Sequence, residues 1–321
     1  MEFIIKTYEE YSQIEKKTND YNIENLGISD IISESNNYLN HAIYQDILSS
    51  IKTRWVYEYE FANAHIKIYI CGEHKDDFLI YYTNFVMYLF NKIKPMKRDL
   101  RLILINYEGK KQLPDVKEEL TSYHVNSGVT ISRDGHGEVI VYRKEEMIKV
   151  LTHELIHFCD LDEKYSDETL SASLSKKFKI ICMPVNINES FVDSLACYIN
   201  TIMYTVLSKP LNFKKAFKKN LMKEIRFIVD QASKVLNHVG YPNKQVCERT
   251  NVTAYYVLKA LVYMDMTKYI NYLSKYNYQF INQKEYLNII NYNDIEILMI
   301  KKNRSKSMRM SCLDIKNIKS F

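Results

Sequence analysis

Apolar residues in the first 60 positions, among them Ile31, Ile32, Leu39, Ile43 and Leu48, fall at helical spacing in a background of Asn, Glu and Tyr. That pattern predicts helices with one polar face over residues 1–60. The period then changes. His65-Ile-Lys-Ile-Tyr-Ile70 alternates as a half-buried strand does and ends at Gly72. A helix is predicted next, capped by Asp76, apolar at Phe78, Tyr81, Phe85, Tyr88 and Leu89, and closed by Pro95. Residues 100–105 read as another strand, so strand, helix and strand suggest a parallel crossover. Two further strands, 128–132 and 138–142, flank Asp134-Gly-His-Gly137, which has the residue types of a hairpin turn. Beyond Lys144 the pattern is helical, with segments near 145–159, 188–207, 212–236 and 251–275.

Composition sharpens this picture. Hydrophobic residues make up 46% and charged residues 26% of the 321, which excludes disordered and low-complexity classes. Only 7 Gly and 5 Pro punctuate the chain, as expected of a helix-rich fold with few tight turns. The class is therefore α+β: a small mixed sheet followed by a helical C-terminal half, with additional N-terminal helices. With no internal repeat or linker, boundaries follow the changes of period. They divide the chain into an N-terminal helical segment (1–60), a sheet with its helix (61–160) and a helical subdomain with a basic tail (161–321).

A formal charge of +5 is too mild to point to nucleic acid. Lys214, Lys215, Lys218 and Lys219, and the tail from Lys301 through Arg304, Lys306 and Arg309, read as solvated helix faces and a frayed terminus. The most apolar run, Tyr198 to Leu207, is interrupted by Asn200 and Thr201, so no membrane span is expected. The opening residues lack the pattern of a secretory signal, and six cysteines without a CxxC pair suggest reduced, buried thiols. An intracellular, cytoplasmic protein is the expectation.

Chemistry concentrates in His153-Glu-Leu-Ile-His157, an HExxH pentapeptide that chance would place in a chain of this composition about once in fifty. Residues four apart share a helical face, so His153 and His157 can present imidazole nitrogens to one ion. Ile148, Leu151, Leu155 and Phe158 form an apolar stripe that would bury the opposite side. Glu154 is placed to reach a metal-bound water as general base without occupying the metal. Downstream, Asn188-Glu-Ser-Phe-Val-Asp193 fits NExxxD. There one of Glu189 and Asp193 can bind the ion while the other accepts the outer N–H of a ligand histidine. Asp160, Asp162 and Glu163 are rival third ligands.

This combination resembles the gluzincin zinc metallopeptidases, of which thermolysin is the familiar member, over roughly residues 128–207. The resemblance implies that His153, His157 and Glu189 bind one Zn²⁺ per chain, that Glu154 activates water and that Asp193 orients His153. It further implies a zincin-like fold with a sheet-plus-helix upper half, a helical lower half and a cleft between them. The peptide or protein substrate would lie antiparallel to an edge strand at 126–131, with Tyr255, Tyr256 or His238 steadying the oxyanion. Second histidine and glutamate lie 189 − 157 = 32 positions apart, more than in thermolysin. HELIH also resembles the pentapeptide of clostridial neurotoxin light chains, but NExxxD points away from them. The rival from another class is an inactive zinc-binding scaffold that retains the fold.

Overall fold

Aliphatic and β-branched residues in three neighbouring strands build the centre of a six-stranded mixed sheet in the computed structural model. That structure describes residues 1–14, 21–22, 41–50, 54–72, 75–115, 118–162, 167–300 and 305–318. The chain divides into two units. Met1–Lys110 joins Asn126–Asp160 in the first, and Lys111–Val125 joins Leu161–Ser320 in the second. The observed class is α+β, with a small mixed sheet and many helices.

In the first unit, α1 (Glu2–Gln13) and α2 (His41–Ser50) bear out helices near the N-terminus. Ile43 is fully buried, whereas Ile31, Ile32 and Leu39 lie outside the described residues. Helix does not continue to residue 60. A two-residue strand, β1 (Tyr21–Asn22), precedes α2, and β2 (Arg54–Phe61) pairs antiparallel with β3 (Ala64–Cys71). The sequence reading missed β2 because its alternation, Trp55-Val-Tyr-Glu-Tyr-Glu60, merges with the polar, tyrosine-rich stretch before it.

The crossover is as predicted. Asp76 caps α3 (Asp77–Ile93) by accepting a 2.9 Å hydrogen bond from the Leu79 amide, and β4 (Asp99–Ile105) then pairs parallel with β3. Hairpin strands β5 (Gly128–Arg133) and β6 (His136–Val141) follow, with Gly135 at φ +75° in the turn, where glycine carries no steric penalty. Sheet order is β1-β2-β3-β4-β6-β5, which leaves β5 outermost.

Register decides what each face of this sheet does. Val56, Tyr69, Ile103 and Ile140 are successive cross-strand partners and bury against Ile43, Tyr44 and Ile47 of α2. One residue along, the row Ile68, Leu102, Val139 and Thr130 faces the other way. Helix α4 (Met147–Phe158) packs on β5 and β6 and also against α3.

The second unit is helical. It comprises α5 (Glu168–Phe178), α6 (Ile187–Leu207), α7 (Phe213–Val239), a π-helical turn at Thr253–Leu258, α8 (Lys259–Met264) and α9 (Met266–Lys275), with shorter turns after them. The single helix expected over 251–275 is thus three pieces, and it breaks at Asp265, whose side chain caps α9 through the Lys268 amide.

Two further expectations are corrected here. Cys182 and Cys247 form a disulfide, with Cα atoms 5.2 Å apart, that joins the short parallel strands β7 (Ile180–Ile181) and β8 (Val246–Cys247). Cys71, Cys159, Cys197 and Cys312 are not disulfide-bonded. The tail is not frayed where it is described. Met308, Met310, Leu313 and Ile315 are buried, and Lys234 and Gln231 hydrogen-bond the Ser307 carbonyl. Lys214, Lys215, Lys218 and Lys219 are solvent-exposed, as read. Among the described residues no helix is long and apolar enough to cross a membrane.

Gly137 lies beneath the C-terminal end of α4, where an added Cβ would stand 2.8 Å from the buried Phe158 ring. Gly137→Ala should therefore destabilise the protein by about 1–3 kcal/mol through overpacking, read by urea denaturation. An unchanged midpoint would show that the ring can move aside.

Candidate metal centre

Every side chain of α4 except that of His157 is buried, so this helix has no solvated face on which to float. Leu151 and Leu155 anchor it in the core, and the Tyr82 hydroxyl of α3 lies 3.2 Å from Thr152 Oγ1. Rotation about the helix axis is thereby restricted. On this held helix His153 is 7% exposed and His157 half-buried, and their Nε2 atoms lie 3.3 Å apart. Two imidazole nitrogens each about 2.05 Å from a tetrahedral zinc ion would be separated by about 3.3–3.4 Å. The rings are already at that spacing, inclined at 68°.

Glu154 points to the sheet side of the same turn. Thr130 Oγ1 lies 2.8 Å from its Oε2 and 3.0 Å from its backbone carbonyl. The sheet register explains this contact, because it turns Thr130 to the α4 side of the outermost strand. Gly128 on the same strand is what permits the approach, since a Cβ there would stand 2.6 Å from Glu154 Oε1 and 2.9 Å from Val150 Cγ1. Sequence reading passed over both residues. Their signal was a threonine and a glycine two apart on a predicted edge strand just before the motif.

Asp160, a rival third ligand, has its carboxylate in an ion pair with Arg98, whose guanidinium also lies over the Phe158 ring. Its backbone sits at φ +52°, in the left-handed region where α4 ends. Asp162 follows in a bend, and Glu163 lies outside the described residues.

In the second unit the NExxxD segment opens α6, as predicted. Asn186 caps it by accepting a 3.0 Å bond from the Asn188 amide, which places Glu189 in the first turn. Asp193, one turn on, is fully buried and forms a 2.5 Å ion pair with Lys259 Nζ. Lys259 was not anticipated, although a lone lysine inside Val257-Leu-Lys-Ala-Leu-Val262 signals a buried partner.

The three oxyanion candidates fare differently. Tyr256 is 1% exposed and its hydroxyl donates to the Met308 carbonyl at 2.6 Å, which removes it as a substrate-facing group. His238 Nε2 lies 3.0 Å from the Glu118 carbonyl, in the wall of a 260 Å³ cavity shared with Cys247 and Glu248. Tyr255 is only partly buried and stays a candidate.

Comparison with known proteins adds little chemistry. No family model and no solved structure matches the chain. An uncharacterized protein, R210, of Acanthamoeba polyphaga mimivirus is 27% identical over 146 residues, which is 44% of this chain and 36% of that protein. The chain thus spans about a third of the length of the curated relative it matches.

Glu248 caps the π-helical turn that bears Tyr255 and Tyr256, accepting a 2.8 Å bond from the Thr253 amide. Burial pushes its carboxyl up to about 7, against the opposing pull of the Thr253 hydrogen bonds. A raised value means that the folded state holds the proton more tightly than the unfolded chain does. The associated stability is complete below the ordinary carboxylate value and is lost as pH rises through about 7. Unfolding free energy should therefore fall between about pH 5 and 8, and Glu248→Gln should flatten that fall. Equal slopes in parent and variant would exclude Glu248 as the source.

Proposed function

We propose that this protein is a zinc-dependent metallopeptidase in which His153, His157 and Glu189 hold one Zn²⁺ and Glu154 is the general base. The observation that carries the reading is the 3.3 Å separation of the two Nε2 atoms on a helix whose remaining surface is buried. The donor set suits zinc: two imidazoles and one carboxylate leave a fourth position for water. Glu189, in the first turn of α6, supplies the carboxylate in this reading.

A zinc ion held by these residues would lower the pKa of its water to about 7 and would polarise the scissile carbonyl. The protein's own residues do the rest. Glu154 takes the proton from the attacking water and returns it to the leaving amine. Thr130 Oγ1, 2.8 Å from Oε2, helps to hold the Glu154 carboxylate in place. Strand β5, last in the sheet order, offers its side to an extended peptide by strand addition. Tyr255 is the remaining tyrosine for the developing oxyanion.

Purified protein should contain about one zinc per chain by elemental analysis. Glu154→Gln should keep that zinc and lose peptide cleavage by a factor of about 10² or more, measured on a diverse peptide library. Unchanged cleavage in this variant would refute the general base. Zinc in the parent with no cleavage of any peptide would instead assign a metal-binding scaffold. The ligand set has its own test: Glu189→Ala should lose the metal and Asp160→Ala should retain it, since Arg98 already engages Asp160. Equal zinc in both variants would overturn that assignment.

A further inference from the structure

We infer that Lys259 is a positioning residue for the metal centre, acting through Asp193 on the helix that carries Glu189. The inference rests on the zinc reading above. Lys259 is 1% exposed, and its ammonium has three neighbours that can accept its protons: Asp193 Oδ2 at 2.5 Å, the Met310 carbonyl at 2.9 Å and Cys197 Sγ at 3.8 Å. Three donors meet three acceptors, so the ammonium is held by direction as well as by charge.

Helix α6 gains a directional restraint from it. The helix is buried almost all round, by Phe191, Val192, Leu195, Ala196 and Ile199 among others, and the Lys259–Asp193 pair adds to that packing one contact of fixed direction, a turn beyond Glu189. Glu189 and Asp193 are four residues apart and share one face, so fixing the Asp193 carboxylate fixes the direction of Glu189 one turn earlier.

The anchor at the far end is also firm. Met310 belongs to a segment whose backbone is gripped by the helices: Tyr256 binds the Met308 carbonyl, Asn200 Nδ2 donates to the Leu313 carbonyl at 2.9 Å, and Glu224 Oε2 accepts from the Cys312 amide at 3.1 Å. Burying an ion pair in place of apolar side chains is costly and seldom adds stability. A directional role one turn from a metal ligand accounts for this pair where fold stability alone does not.

The test is a double-mutant cycle on zinc affinity, using Lys259→Met, Asp193→Asn and the two together. Affinity is measured by chelator competition, with the visible spectrum of the Co²⁺-substituted protein reporting ligand geometry. Lys259→Met should weaken zinc binding about 10–100-fold and shift the Co²⁺ bands, with partial recovery in Lys259→Arg. The double variant should bind no more weakly than the weaker single variant, because both changes cut one link. If Lys259→Met leaves a buried unpaired carboxylate and fails to fold, the double variant removes both charges, and its affinity should then equal that of Asp193→Asn. Wild-type affinity and spectrum in Lys259→Met, or losses that simply multiply in the double variant, would overturn the inference alone. A parent chain that binds no zinc would overturn the metal reading and this inference with it.

Discussion

Two imidazoles one turn apart on an immobilised helix must point their ring nitrogens at the same small volume. In solution a helix could turn to spread such a pair into water. Here Leu151, Leu155 and Phe158 are locked into the core of the first unit, and Tyr82 lies against the helix from α3. Their Nε2 atoms lie 3.3 Å apart, close enough for one N–H···N hydrogen bond between the rings. The zinc ion proposed above would draw on the same two nitrogens. The rest of the candidate site follows from this constraint, because Glu154, next to His153 in sequence, is carried by the same fixed helix.

Sheet register then sets what Glu154 meets. Slipping β5 by one residue would turn Thr130 to the opposite face and leave the Glu154 carboxylate without its hydroxyl partner. The absence of a side chain at Gly128 matters for the same reason, since strand and helix approach too closely there for a Cβ. Both features belong to an outer strand whose sequence is otherwise unremarkable. Their roles are visible only once strand and helix are seen together.

The second unit shows a different economy. Its interior is unusually polar: Glu224, Lys259, Asp193 and Gln231 are all buried, and most of them grip the backbone of the C-terminal segment or each other. A peptide segment without regular structure cannot satisfy its own amides and carbonyls, so the helices around it must supply side-chain partners. Basic composition made the tail look solvated; Lys301 and Arg304 lie outside the described residues, and over residues 305–318 the buried Met308, Met310 and Leu313 hold the segment in place. The Cys182–Cys247 disulfide was equally hidden, since a separation of 65 residues and no short motif leave nothing for spacing to detect.

Local chemistry carried a large part of the answer. Alternation, an Asp cap, a Gly-containing turn and a 3.6-residue stripe were enough to locate β3, α3, β4, the β5–β6 hairpin, α4 and the start of α6, because each depends on residues within a turn or two of one another. HExxH was legible for the same reason, its geometry being internal to one helix. What tertiary structure alone decided was everything that joins distant residues: Thr130 on Glu154, Arg98 on Asp160, Lys259 on Asp193, Tyr256 on Met308. These contacts bridge 24 to 66 positions. The physical reason is that a buried polar group must find a partner but its own sequence neighbourhood does not say which one, and only the packed chain makes the choice.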